Sequence, residues 1–164
     1  SDNGGGSSAD NAPLRGRKGQ MFEGGLRVPC IVRWPGKIPA GTTSDAFLTS
    51  LEVVPTLCAA TGAALPKGVA LDGFDMLPVL QGKKRLLRSE MFWQRKLDKG
   101  ARVDHWKWVE SSRGSGLFDL RHDLGERRDL SKEKPEVLKN VQARFTNWKK
   151  QMQAAAPRGP FRDF

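Results

Sequence analysis

Two cysteines, Cys30 and Cys58, are all that the 164 residues contain, too few for a disulfide framework. Both sit among apolar neighbours (VPCIV and TLCAA), so both are expected to be buried thiols acting as small hydrophobes. Neither has His or Cys at zinc spacing. Long apolar runs are also missing: no stretch reaches the roughly 18 apolar residues of a membrane span. The start has neither a basic n-region nor an apolar h-region, so no signal peptide is read there, and localisation stays open. Acid is scarce relative to base. Against 28 Lys and Arg stand 18 Asp and Glu, a formal charge of +10, which favours anionic partners without bearing on fold. Hydrophobic residues make up 38%, modest but enough for one domain, or for a small domain with a piece of another.

What is present divides near residue 88. Residues 1–25 are polar, Gly-rich and irregular. Val28 to Trp34 (VPCIVRW) is β-branched and bounded by Gly25 and Pro35-Gly36, which reads as a strand. SLEVVPTLCAAT (50–61) reads as a helix, with Ser50 or Glu52 near its start, Pro55 in its first turn and Gly62 as its stop. Asp75 can cap a short helix that Gly82 closes. After the basic link at Lys83-Lys84-Arg85 come three strand-like runs, 90–94, 105–111 and 116–120. Trp106 and Trp108 alternate with Lys107 as on a sheet with one buried face, and Ser112–Ser115 is a hairpin turn. Val137, Leu138, Val141, Phe145, Trp148 and Met152 then line one face of a helix over 135–152, with Pro135 in its first turn. The last residues, from 154, are expected to be loose. Three strands and one helix form a small α+β unit that needs something beneath it.

Several residues could carry chemistry. Asp2 and Asn3 place a carboxylate and an amide oxygen side by side, two donors of the roughly 6–8 that Ca²⁺ takes. Taken alone they read as a solvated tail. In RGRKG (15–19), flanking glycines allow close backbone approach and three cations could hold an oxyanion. The spacing is not that of a P-loop, and a solvated basic turn is the plainer reading. Glu23 and Arg27 are expected to pair across the Gly24-Gly25 bend. His105 and His122 are read as ordinary surface or edge residues. The runs 83–88 and 139–150 are basic, but no helix-turn-helix, zinc finger or RNP-type motif accompanies them, so a solvated face is preferred and nucleic acid is disfavoured.

In order, the segments resemble the second half of the type I, formylglycine-dependent sulfatase family. The resemblance runs through SDNG, N-x-PLRG-x-KG-x-x-x-EGG-x-RVP-x-I-x-x-WPG-x-I, PTL at 55–57, LDG-x-D-x-x-PVL at 71–80, WKWV at 106–109 and LFDLRHDLGERRDL at 117–130. It covers nearly the whole chain. It implies an alkaline-phosphatase-like α/β fold, with residues 1–88 finishing the large domain and 89–164 forming a small antiparallel-sheet subdomain with a packed helix. It also implies hydrolysis of a sulfate monoester, on a sulfated carbohydrate among other substrates, with Ca²⁺ as cofactor. Asp2 and Asn3 match two family Ca²⁺ ligands, and Lys18 matches a lysine that contacts the substrate sulfate.

Phe118, Leu124 and Asp129 replace the usual Tyr, Pro and Asn. The C-x-P-S-R motif, whose Cys becomes formylglycine, is absent, so no catalytic residue is assigned. The chain is expected to be a C-terminal portion whose partner is the N-terminal half of the same enzyme, and to be inactive alone, with strand 28–34 left unpaired and its apolar surface exposed. Two other readings stay open: a phosphate or phosphonate monoester hydrolase of the same superfamily, and a non-catalytic basic module for anionic polymers.

Overall fold

The structure is a computed structural model that describes residues 1–6, 8–65, 67–68, 70–83 and 88–155. Most of the basic link and nearly all of the C-terminal tail lie outside these residues. The chain forms two compact units. One comprises Ser1–Asp2 and Pro29–Ser89. The other comprises Asn3–Val28 with Glu90 and the described residues after it.

The second unit is built on an antiparallel meander: β1 (Glu90–Arg95), β2 (Asp98–Val103), β3 (Trp106–Ser111) and β4 (Gly114–Asp119), in that order. Three two-residue loops join them, with Arg95 facing Asp98, Val103 facing Trp106 and Ser111 facing Gly114. Strand β2 is the one that sequence patterning misses. DKGARV has no β-branched run, and its place comes from pairing on both sides. Lys96 and Asp104 open the first two turns at φ 55° and 52°, where composition gives no Gly or Asn as a signal.

The register sends Phe92, Ala101, Val103, Trp108 and Leu117 to one face, where they meet Val141 and Phe145 of α4 (Pro135–Ala154). Val137, Leu138 and Trp148 complete the helix stripe. Phe145 is packed edge-on against both Phe92 and Trp108, with centroids 6.4 and 5.3 Å apart. Met152, expected in this stripe, is 47% exposed, because the helix runs past the sheet's edge of cover.

The opposite face is buried too, against an element that the three-strand reading did not supply. Met21 and Phe22, just before the one-turn helix α1 (Glu23–Leu26), pack on Val109 and Phe118. Gly100 opposite them leaves room only for Met21, whose Cβ would lie 3.3 Å from an added methyl. Lys107, on this face, is fully buried. Its Nζ donates to Glu23 Oε1 at 2.8 Å and sits 4.9 Å from the centre of the Trp93 ring. Glu23 therefore makes its hydrogen-bonded ion pair with Lys107 rather than with Arg27, whose backbone N–H donates to the Glu23 carbonyl.

In the first unit a 3-10 turn, Ser50–Glu52, leads into α2 (Val53–Thr61). Thr49 and Glu52 form a reciprocal capping box, and Gly62 at φ 73° ends the helix, as its composition predicts. Asp75 Oδ1 accepts the Leu77 N–H at 2.8 Å ahead of α3 (Leu77–Leu80). Thr56 Oγ1 bridges the Glu52 carbonyl and the Met76 N–H, and Gly73 touches the Leu51 carbonyl so closely that a Cβ would lie 1.9 Å from it. The PTL and LDG segments are thus packed on one another. Arg88, at the end of the basic run, is ion-paired with buried Glu52.

Val28–Trp34 does not form a strand. A strand needs a ladder partner, and the described residues supply none here; Ile31 is 93% and Val32 41% exposed. The same lack of cover leaves Cys30 exposed and Cys58 half-buried, contrary to the expectation of two buried thiols.

Truncating one member of a fully buried ion pair strands the other. Lys107→Ala is expected to destabilise the protein by about 3–5 kcal/mol, and Lys107→Met combined with Glu23→Leu to recover most of that loss. Urea denaturation of both variants checks this. A Lys107→Ala protein as stable as its parent would show that the pair contributes nothing.

Candidate functional site

Around Lys18 the polypeptide is held largely by main-chain hydrogen bonds, with the Asn11 amide donating to the Gly16 carbonyl at 3.1 Å and Gln20 Oε1 accepting the Arg17 N–H at 3.2 Å. The Gly4 N–H donates to the Gly25 carbonyl at 3.0 Å, the Lys18 N–H to Gly5 at 2.8 Å, and the Gly24 N–H to Arg15 at 2.7 Å. These contacts allow no side chain. A Cβ on Gly4 would lie 1.9 Å from the Gly24 carbonyl oxygen, and one on Gly24 would lie 2.3 Å from that of Gly16. Gly4, Gly24 and Gly25 are therefore spacers that let three stretches of main chain touch. Gly16 and Gly19, at φ 84° and 85°, take the bends on either side of Lys18 that an L side chain would resist.

This scaffold stitches the segment after Asn3 to Lys18. Asn3 is half-buried and Lys18 is exposed, both in the second unit; Asp2 is exposed and falls in the first. Among the described residues no group of three His, Cys, Asp or Glu gathers into a metal cluster. The donors at Asp2 and Asn3 are oxygens only, which suits Ca²⁺ or Mg²⁺ rather than zinc.

The three cations of RGRKG divide. Arg15 points inward: it donates to the Glu126 carbonyl at 3.0 Å and lies 4.0 Å from the Phe22 ring centre. Its role is structural. Arg17 and Lys18 face solvent beside a groove shared with the tips of the β1–β2 and β3–β4 hairpins. His105 and His122 both flank Asp119, and the His122 side chain is 74% exposed, as expected of surface positions.

Glu126 is the residue whose role the sequence did not disclose, although it lies in the LGE stretch. It is fully buried at φ 52°. Its Oε2 accepts the Glu23 N–H at 2.7 Å, capping α1, while Oε1 has no partner. Gly125 beside it approaches the Pro13 carbonyl, 3.0 Å from where a Cβ would stand. The loop after β4 thereby clamps the segment that carries Lys18. Burial pushes the Glu126 carboxyl up from 4.5 to about 7; the Lys107 charge and the Glu23 N–H oppose the rise, and the Glu23 carboxylate adds to it. Burial acts on Glu23 in the same direction, but the Lys107 ammonium and its hydrogen bond outweigh it, with help from Arg102 and Arg27, and hold Glu23 below its ordinary range.

Known proteins resemble this chain in sequence and fold. Residues 17–154 match the family model described as N-sulphoglucosamine sulphohydrolase, C-terminal. The chain belongs to this family of C-terminal sulfatase domains. It is 45% identical to human arylsulfatase A over 80 residues, 49% of this chain and 15% of that protein. It is 31% identical to rat arylsulfatase G over 142 residues, 73% of this chain and 27% of the relative. The crystal structure of Ps i-CgsB in complex with k-i-k-neocarrahexaose superposes with a TM-score of 0.78 at 30% identity, over 89% of this chain and 34% of that one. The sulfatase domain thus has the alkaline-phosphatase-like α/β fold that the motifs imply, with its antiparallel sheet and long C-terminal helix. The chain spans well under half the length of each of these relatives. No described helix is long and apolar enough to cross a membrane.

Glu126 binds its proton more tightly folded than unfolded, so its stabilising contribution is whole below about pH 4.5 and is lost as pH rises through about 7. The loss expected over that interval is roughly 2–4 kcal/mol. Glu126→Gln keeps an acceptor for the Glu23 N–H and removes the titration. Unfolding free energy measured from pH 4.5 to 8 should therefore fall more steeply for the parent than for the variant; parallel curves would remove Glu126 as the source.

Proposed function

We propose that the chain is the C-terminal portion of a sulfuric ester hydrolase, in which Lys18 binds the sulfate of a sulfate monoester and Asp2 with Asn3 hold one side of a Ca²⁺ ion. The observation that carries this reading is the close main-chain scaffold, spaced by Gly4 and Gly24, that ties Lys18 to the stretch beginning at Asn3. It fixes the lysine backbone while leaving its ammonium exposed for a ligand. Family membership supports the reaction class, and the oxygen-only donors support a hard cation. The complex of Ps i-CgsB with an oligosaccharide favours a sulfated carbohydrate as the substrate class. In the whole enzyme, residues 1–88 would finish the large domain and 89–164 would form the small subdomain. The N-terminal half would supply a formylglycine nucleophile, so the chain alone would turn nothing over.

The bound ion would neutralise anionic oxygens and favour a deprotonated nucleophile. Asp2 would contribute charge to holding it, and Asn3 a neutral oxygen. Lys18 places a compact positive charge where sulfate oxygens carry negative charge. Such preorganised charge counts most where charge is redistributed in the transition state, and an ammonium on a flexible stem tolerates a range of approach geometries.

In the full-length enzyme, Lys18→Ala should lower turnover of an aryl sulfate by roughly 3–4 kcal/mol in barrier terms. Lys18→Arg should recover little, because the planar fork puts its charge elsewhere. The melting temperature should hardly move, since Lys18 is exposed in a loop. Steady-state kinetics and melting curves check both. Near-normal activity in Lys18→Ala would assign sulfate binding to other residues.

A further inference from the structure

The groove beside Lys18 carries more positive charge than one sulfate needs. Its volume is about 790 Å³, within the roughly 300–1,000 Å³ of small-ligand sites. Arg17 and Lys18 line it from one side, and Arg95, Lys96 and Arg113 from the two hairpin tips. Two carboxylates share the groove and are outnumbered by these cations. Asp98 Oδ1 accepts the Ser112 N–H at 3.2 Å, and Glu110 pairs with Lys99. Among the described residues none of the five cations has an anionic partner. Arg95 donates only to the Gly19 carbonyl, at 3.4 Å.

Clustered like charges in a concave surface repel one another and focus a positive potential, which an anionic ligand relieves. Arginine adds planar donors suited to sulfate or carboxylate oxygens. The lining has no aromatic side chain, so it lacks the stacking platforms on which single-stranded nucleic acids depend. It offers instead Ser112 and the 87% exposed Leu97, groups that suit sugar hydroxyls and the C–H face of a ring.

We propose that this groove is a second anion subsite for a multiply sulfated glycan, in which Lys96 and Arg113, with Arg95 behind them, hold a sulfate or carboxylate other than the scissile one. The proposal deepens the sulfatase reading and rests on its placement of the scissile sulfate at Lys18. It narrows the substrate from any sulfate monoester to an oligosaccharide with a second anionic group.

The test uses the full-length enzyme with Lys96→Ala/Arg113→Ala, leaving Arg95 intact because it holds Gly19. KM for a heparin tetrasaccharide should rise about tenfold or more, and raising the salt should weaken the parent's binding more steeply than the variant's. KM and kcat for 4-nitrophenyl sulfate should stay within about twofold. Lys96→Arg/Arg113→Lys, which keeps the charge, should retain most of the parent's affinity for the tetrasaccharide. An equal loss on both substrates, or an unchanged tetrasaccharide KM, would overturn the subsite. So would an oligonucleotide of matched charge that binds the parent as tightly. A parent enzyme that hydrolyses no sulfate ester would sink the sulfatase reading separately. Calorimetric titration of parent and variant with the tetrasaccharide would then still decide the groove, equal affinity overturning it.

Discussion

A lysine in the middle of a sheet face with no exposed surface keeps its charge only if a carboxylate is brought to it. Here the sheet cannot supply one, and Glu23 arrives from the N-terminal stretch. That single requirement organises the unit. Glu23 needs its own N–H satisfied inside the core, and Glu126 from the loop after β4 does so. Arg15 reaches the Glu126 carbonyl from the other side. The stretch between Arg15 and Glu23 is thereby anchored at both ends, and Lys18 lies at its middle. The small sheet is a platform whose second face exists to hold this loop, as well as a cover for α4.

The same dependence explains what the sequence disclosed and what it did not. Helix α4 was legible because its apolar stripe at helical spacing reports a local geometry, and the observed span, Pro135–Ala154, extends it by one half-turn. Trp106 and Trp108 reported a buried face truly. Lys107 between them was misleading, because alternation of apolar and charged residues reads as one dry and one wet face, and the wet face turned out to be buried around an ion pair. Strand β2 was invisible because its DKGARV sequence owes its conformation to two neighbours rather than to itself. Val28–Trp34 is the reverse case: strong local β preference with no ladder partner among the described residues, and so no strand. Cys30 follows from it, a thiol in an apolar run that the described residues do not cover.

Of the candidate site, Asp2, Asn3 and Lys18 were proposed only from motifs in order. Taken one at a time, each was better explained as a solvated residue. What the motifs did not say is why so many glycines accompany them. The geometry gives a steric answer at Gly4 and Gly24, where main chain meets main chain. Glu126 lay in plain view within the LGE stretch, but a surface carboxylate and a buried clamp look alike in a sequence. The groove was illegible because its cations come from residues 17–18, 95–96 and 113, brought together by two hairpin turns.

Net charge becomes informative only after the fold sorts it. Of the cations behind the +10 balance, Lys107 and Arg88 are spent on buried carboxylates, and Arg15 on a carbonyl and an aromatic face. Those on the outside of α4 are exposed to solvent, where potential is screened within about 8–10 Å, and Arg144 among them pairs with Glu90. The cations at the hairpin tips differ in being gathered in a concavity, where they outnumber the two carboxylates that share it. Five charges arranged so are poorly accounted for by solubility, which spacing them apart would serve better. Their arrangement makes sense if the groove meets an anion longer than a single sulfate.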